Sequence, residues 1–148
     1  AELRRKNDVF WKAREQAHHS LLEAMARRGV RILAGTDSGG NLVVPGFSLH
    51  DELQSLNRAG MSAAQTLAAA TRVPAELMNS NAGVIEAGRR ADLVMLDENP
   101  LSDIGNTRSI DTVVLNGRVL RRDQLDAMLE AVRKANANSR KISIDRYL

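Results

Sequence analysis

Residues 29–40 read GVRILAGTDSGG, a short apolar run that ends at one carboxylate, Asp37, set among glycine and small hydroxyl residues. A run of this length bounded by glycines is typical of a buried parallel strand, so we predict a strand from Val30 to Asp37. Asp37 would then lie at the strand's carboxyl end, where α/β barrels and open α/β sheets bind substrates. Spacing alone leaves a second role open, in which Asp37 only caps the following helix or turn.

A helix is predicted upstream of this strand, over residues 9–28, because apolar residues recur there at three- and four-residue steps. Asp8 is a candidate N-cap, and Gly29 is a natural residue to end the helix. His18 and His19 lie inside it and point about 100° apart, whereas metal-binding helices use an i, i+4 spacing. We interpret both histidines as surface or packing residues.

A loop over 38–47 separates the strand from the next helix and is longer than such connections usually are. Long loops at strand ends are often binding loops. Ser48 and Asp51 match a variant capping box at the start of a helix that ends at Gly60. His50 lies in the first turn of that helix, where it is either a substrate contact or a surface histidine.

Two further helices and a final one are predicted from their local signals. Ser62 and Gln65 form a second capping box, and Pro74 is expected at the first position of a short helix through Met78. The last helix runs from about 122 to 137, and the tail over 138–148 is expected to be irregular.

Between residues 83 and 121 the pattern changes from helical to extended. Apolar runs occur at 83–85 and 91–97, and the segments 110–115 and 118–120 flank Asn116-Gly117. This dipeptide is the strongest short-range hairpin signal, because a type I′ turn needs positive φ at both central positions. We therefore predict a small, mostly antiparallel β unit.

Composition narrows the classes of protein and site. The chain has 148 residues, about one domain, and no cysteine, which excludes disulfides and thiolate metal sites. No apolar run approaches the roughly 18 residues of a membrane span. The basic residues that give a net charge of +3 are scattered in pairs without interleaved aromatics, which argues against nucleic-acid binding. No secretory signal is visible, and we expect a cytoplasmic protein.

Short motifs follow one another along most of the chain: GTDS (35–38), LHDEL (49–53), AGMS (59–62), AAT (69–71), GVIEAGRRADLV (83–94), NPL (99–101) and VVLNG (113–117). This ordered set resembles the carboxy-terminal part of the amidohydrolase superfamily of metal-dependent hydrolases. Within that superfamily it is most similar to the imidazolonepropionase-like and prolidase-like branch. The resemblance covers roughly residues 20–121.

The resemblance implies an α/β fold that is the C-terminal portion of a TIM-type (β/α)8 barrel, with a small accessory β domain and a final helix. Residues 1–82 would be the barrel portion, with strand eight and its helices. Residues 83–121 would be part of the β domain, and residues 122–148 the C-terminal helix and tail. A complete barrel needs about 250 residues, so we expect this chain to be a fragment.

The resemblance also implies an activity: hydrolysis of C–N bonds in amides, dipeptide-like or cyclic amide substrates, with one or two divalent metals, often zinc. Asp37 matches the family's aspartate at the end of strand eight, which ligates the metal and shuttles a proton. Ser38 and His50 are candidate substrate contacts. The family's other ligands, including a His-x-His pair, have no counterpart among the three histidines of this chain.

One carboxylate cannot hold a catalytic zinc, which usually takes three protein ligands. We therefore expect the chain alone to be inactive and to bind no metal tightly. Its expected partner is the remainder of the barrel or another copy of the chain, as a homo-oligomer, since an unpaired strand leaves open edges. The alternative is a non-enzymatic α/β module that self-associates or binds a partner.

Overall fold

A computed structural model describes residues 2–39 and 43–139, with side chains over 7–39 and 43–138. Over these residues the chain forms mostly helices and one small antiparallel sheet. In chain order the elements are α1 (Glu2–Arg27), α2 (Phe47–Arg58), α3 (Ala63–Ala70), α4 (Arg72–Leu77), β1 (Leu93–Leu96), a 3₁₀ helix (Ile104–Arg108), β2 (Ile110–Leu115), β3 (Arg118–Leu120) and α5 (Arg122–Ser139). Within the described ranges, no helix combines the length and apolar character that crossing a bilayer requires.

The first helix, α1, confirms the predicted helix and begins earlier. Asp8 lies inside it rather than at its N-cap, so that part of the prediction is wrong. Gly29 ends the helix as predicted, with a φ of 70°. The amide of Val30 donates to the carbonyl of Met25 at 3.1 Å, which closes the last turn.

The segment 30–37 is extended but is not a strand, because no strand pairs with it anywhere in residues 2–39 or 43–139. Its side chains alternate between half-buried and exposed, which is the period of extended backbone. Ile32 and Ala34 pack against a core cluster of Leu56, Met61 and Ala69. Within the described residues the predicted buried strand is therefore not formed: helices cover one face of the segment, and the other face is exposed.

The helix α2 begins at Phe47 with Gly46 as its N-cap, and no side chain caps it. The predicted capping box of Ser48 and Asp51 is therefore wrong. Ser48 already lies inside the first turn, and the Asp51 carboxylate accepts a hydrogen bond from Arg108 at 2.6 Å instead.

The second predicted capping box is confirmed at the start of α3. The Ser62 hydroxyl accepts from the Gln65 amide at 3.2 Å, and the Gln65 side chain accepts from the Ser62 amide at 2.8 Å. The next helix, α4, begins at Arg72, so Pro74 is its third residue and not its first as predicted.

The sheet has the order β1-β2-β3, and both pairings are antiparallel. Its register pairs Val94 with Val113 and Val114 with Val119, and a bulge lies between Met95 and Leu96. The predicted hairpin turn between β2 and β3 is confirmed at Asn116 and Gly117. Asn116 has a φ of 50° and Gly117 a φ of 77°, as a type I′ turn requires.

The structure differs from a fully extended β unit in two places. The apolar run 83–85 is not a strand, and Ile85 is 90% exposed. A 3₁₀ helix, absent from the prediction, contacts α2, and its Ile104 is buried. Further along, α5 confirms the last predicted helix but continues through residues 138–139, which were predicted to be irregular. The rest of that tail, 140–148, lies outside the described residues.

Candidate functional site

Asp37 stands at a sharp turn where the extended segment ends. Its φ of 49° lies in the left-handed region, and its side chain is exposed. Gly39, two residues on, has a φ of 119°, and its amide donates to the carbonyl of Val43 at 3.4 Å. A left-handed conformation costs a non-glycine residue about 1–2 kcal/mol, although aspartate tolerates it better than most. Strain of this kind is common at functional sites.

Two helices fix the backbone just before Asp37. The amide of Ala34 donates to the carbonyl of Ala69 in α3 at 2.9 Å. The amide of Gly35 donates to the carboxylate of Glu52 in α2 at 3.3 Å. The position of the Asp37 turn is therefore set by α2 and α3, two residues upstream of the carboxylate.

Glu52 is a site residue that sequence reasoning missed. It was part of a recognised motif, LHDEL, but no role followed from that motif. Its bond to Gly35 spans 17 positions along the chain. A local pattern cannot show such a contact, because it arises only when α2 packs against the extended segment.

The structure places the other two predicted site residues in different surroundings. Ser38 follows Asp37 in the turn and is exposed. His50 is half-buried on α2, and its Nδ1 lies 3.0 Å from the hydroxyl oxygen of Thr107 in the 3₁₀ helix. Asp37 and Ser38 are thus brought together at one turn, whereas the ring of His50 is held by the β unit.

The hydrogen bonds around Thr107 fix the tautomer of His50. The Thr107 hydroxyl donates its one hydrogen to the carbonyl of Ile104, at 2.9 Å. His50 must therefore be the donor through Nδ1–H, which leaves Nε2 unprotonated in the neutral ring. Burial lowers the pKa of His50, the Arg108 guanidinium lowers this pKa further, and the Asp51 carboxylate opposes both.

The donor set available for a metal is small. Across residues 7–39 and 43–138, no group of three or more histidine, aspartate or glutamate side chains lies close enough to hold an ion. Catalytic zinc usually takes three protein ligands. The residues described therefore do not make a metal site, and Asp37 can be at most one ligand of a site completed elsewhere.

An open groove of about 510 Å³ lies between α1 and α2. Trp11, His18 and His19 line it from α1, and Glu52 lines it from α2. His18 is exposed and His19 is half-buried. Both histidines sit at the surface of the helix pair.

This chain is similar in sequence to a known protein family. The sequence model of the amidohydrolase family matches residues 13–120. No curated protein matches the chain significantly.

Solved structures share the fold of most of the chain. A Xaa-Pro dipeptidase with bound methionine in the active site is 28% identical, with a TM-score of 0.62 over 70% of this chain and 25% of that chain. Molinate hydrolase is 29% identical, with a TM-score of 0.63 over 70% of this chain and 26% of that chain. A putative prolidase from Bifidobacterium longum is 32% identical, with a TM-score of 0.61 over 74% of this chain and 29% of that chain.

The chain spans only 25–29% of the length of these three structures. The family match nevertheless extends over well more than half of the chain, from α1 to the end of β3. It includes the Asp37 turn, the helices that hold it and the whole sheet. This chain therefore belongs to the amidohydrolase family and is related to its prolidase-like members.

Proposed function

We propose that this chain is the C-terminal part of a metal-dependent hydrolase that cleaves C–N bonds in small amide or dipeptide-like substrates. The observation that carries the proposal is the Asp37 turn. An exposed carboxylate stands in a left-handed conformation at the end of an extended segment that α2 and α3 hold in place. The family match and the solved hydrolases that share this fold support the reaction class.

In the proposal the segment 30–37 is the eighth strand of a TIM-type barrel, and Asp37 lies at its carboxyl end. Residues 1–82 are the barrel portion, residues 83–121 belong to an accessory β domain, and residues 122–148 form the C-terminal helix and tail. The exposed face of the segment, which includes Leu33, is where neighbouring barrel strands would cover it.

Asp37 is proposed as both metal ligand and proton carrier. A divalent metal held together with residues from the rest of the barrel, zinc in this proposal, would supply an activated water. The Asp37 carboxylate accepts the proton that the water loses and returns it to the departing nitrogen. An exposed carboxylate on a fixed turn can do this, because its oxygens are free to face substrate.

Ser38 and His50 are proposed to contact the substrate. The Ser38 hydroxyl adjoins Asp37 and can donate or accept a hydrogen bond. His50 can offer only Nε2, since its Nδ1–H is given to Thr107. The remaining metal ligands would come from the rest of the barrel, so we expect the 148-residue chain alone to be inactive.

The test uses the longest protein in which this sequence occurs, loaded with zinc and assayed against dipeptides, N-acyl amino acids and cyclic amides. Asp37→Asn should lower kcat/KM by about 10²–10⁴-fold, the usual loss when a proton-transferring group is removed. Asp97→Asn changes an exposed carboxylate that follows β1, and we expect it to stay within about twofold of the parent.

Two results would contradict the proposal. If Asp37→Asn retained the parent's kcat/KM, Asp37 would not be catalytic. If the 148-residue chain alone turned over an amide substrate with zinc, its metal site would be complete without the rest of a barrel. A folded full-length protein without hydrolytic activity would favour the non-enzymatic alternative.

A further inference from the structure

The last helix, α5, carries an apolar stripe that the rest of the described chain leaves uncovered. Leu125 is half-buried where α5 meets β2. Beyond it every described side chain from Asp126 to Asn138 is exposed. Met128, Leu129 and Val132 are 55%, 43% and 66% exposed, respectively. The family match ends at residue 120, just before α5 begins.

The stripe has the spacing of a helix-pairing surface. Leu125, Leu129 and Val132 recur at steps of four and three, which places them along one seam of the helix. Together with Met128 these residues form an apolar stripe about two turns long, and three of its four side chains are exposed.

Charges beside the seam indicate what covers it. Asp126 and Arg133 are seven residues apart, so they lie on the same edge of the seam, two turns from each other. Both have only exposed partners within α5: Asp126 with Arg122 at 3.2 Å, and Arg133 with Glu130 at 3.8 Å. Their side chains stay 56% and 79% exposed, so both remain able to form further ion pairs.

We infer that α5 pairs with α5 of a second copy of this chain in an antiparallel arrangement. When two identical helices pair antiparallel, the same edge of each helix meets across the interface, related by a two-fold axis. Asp126 of each copy then faces Arg133 of the other, which gives two opposite-charge contacts from one sequence pattern. In a parallel pair the same edges lie on opposite sides of the interface, and these charges do not meet.

The charges also select one antiparallel register. With Leu129 opposite Val132 of the second copy, Asp126 faces Arg133 of that copy. In the neighbouring register, with Leu129 opposite Leu125 of the second copy, Asp126 faces Asp126, which is repulsive. Both registers place apolar residues of the seam opposite each other, so the charges decide between them, and this repulsion in the wrong register makes the interface specific. This inference does not depend on the proposed hydrolase activity.

The first test changes the seam of the 148-residue chain and follows its mass by sedimentation over a range of protein concentrations. Leu129→Glu should weaken self-association by at least about 100-fold, because it replaces an apolar contact with a charge in the seam. Ala127→Glu places the same charge on the opposite face of α5, and it should change the dissociation constant by less than about threefold. Far-UV circular dichroism checks that both variants keep their helices.

The second test exchanges the charges and depends on orientation. Asp126→Arg and Arg133→Asp each make both edge contacts like-charged, so each variant alone should self-associate about 5- to 30-fold more weakly. An equal mixture of the two variants restores both opposite-charge contacts, and it should form a 1:1 heterodimer with the parent's affinity. Other adhesive surfaces of the chain cannot produce this mutual rescue.

The inference is overturned if Leu129→Glu self-associates like Ala127→Glu. That result would mean that the seam serves another purpose, such as packing on a further part of a longer protein. It is equally overturned if the two charge variants do not rescue each other on mixing, because antiparallel pairing requires that they do.

Discussion

Two extended regions of this molecule have similar sequences and different structures. The segment 30–37 and the strand β2 are both short runs of apolar residues bounded by turns. β2 pairs on both sides, with β1 and β3, whereas the segment lies on helices and pairs with no strand in the described ranges. The difference shows that a short apolar run can be extended without belonging to a sheet, and that neighbouring strands decide whether it becomes a strand.

The turns that end these two regions differ in how they are held by hydrogen bonds. Asn116 and Asp37 have nearly equal φ values, 50° and 49°. The amide of Asn116 donates to the Asp92 carboxylate at 2.8 Å, and the amide of Gly117 donates to the Ala91 carbonyl at 3.3 Å. The turn of the sheet is thus tied down directly, while the Asp37 turn is held from Gly35 and Ala34 upstream. The proposed catalytic carboxylate therefore stands on the less constrained of two similar turns.

The largest expected effect on the free energy of unfolding comes from a substitution in the connection between the helical region and the sheet. Gly83 has a φ of 84°, and a Cβ there would lie 2.6 Å from the carbonyl oxygen of Thr71 and 2.7 Å from the Cβ of Ala75. Gly83→Ala should lower the free energy of unfolding by about 3 kcal/mol, from a left-handed alanine together with overpacking against backbone. Urea unfolding, followed by circular dichroism, measures the change.

Gly88→Ala is the matched control for that clash. Gly88 has nearly the same φ, 87°, but a Cβ there meets nothing within 4 Å. It should cost only the backbone term, about 1 kcal/mol. Equal losses in the two variants would show that the Thr71 contact yields without cost, and that the helical region and the sheet are not rigidly joined at Gly83.

A smaller effect on the free energy of unfolding is expected from one buried threonine in the core of each region. Thr66 in α3 is fully buried, and its hydroxyl has no partner among the described residues. Thr112 in β2 is 5% exposed, and its hydroxyl donates to the Asp111 carboxylate at 2.7 Å. Thr66→Val should therefore raise the free energy of unfolding by about 1 kcal/mol, and Thr112→Val should lower it by about the same amount.

Both variants replace a hydroxyl with a methyl group, so opposite changes in stability would come from the different hydrogen bonding of the two hydroxyls. Differential scanning calorimetry on the two proteins measures them side by side. If Thr66→Val destabilised the protein, the hydroxyl of Thr66 would have a partner that the described residues do not include.

How much the sequence could predict depended on the range of the interactions. The turn at Asn116-Gly117 and the capping box of Ser62 and Gln65 are made by residues one to three positions apart, and both were predicted correctly. The Ser48 box failed because α2 begins one residue before Ser48, at Phe47, and the Asp51 carboxylate pairs instead with Arg108, 57 residues away. No local pattern contains such a competitor.

The same argument applies to the candidate site. Asp37 could be singled out because its signal is local: a carboxylate just after an apolar run. Glu52 and Thr107 could not be assigned roles, because each acts through a contact with a distant segment. The strand prediction for 30–37 failed for a related reason, since the pattern of residues cannot show whether a neighbouring strand is present.

The smallest expected effect is on the pH dependence of stability, and it concerns a side-chain contact between the two regions. His50 in α2 donates to Thr107 in the 3₁₀ helix, and burial and Arg108 lower the pKa of His50 on folding. A histidine with a lowered pKa binds its proton more tightly in the unfolded chain, so acid favours unfolding. The stability that neutral His50 provides is fully present above the unfolded pKa of about 6.5 and is lost as the pH falls below it.

Urea unfolding of the parent and of His50→Gln between pH 5 and pH 7 measures this contribution. The parent should lose stability toward pH 5 more steeply than His50→Gln, which has no group that titrates at this position. Two neighbours give opposite controls. Arg108→Ala removes a cation that lowers the pKa of His50 and should make the parent's slope shallower, whereas Asp51→Asn removes the opposing carboxylate and should make it steeper. If His50→Gln kept the parent's slope, the contact between α2 and the 3₁₀ helix would not depend on the charge of His50, and the two regions would be joined by backbone and apolar packing alone.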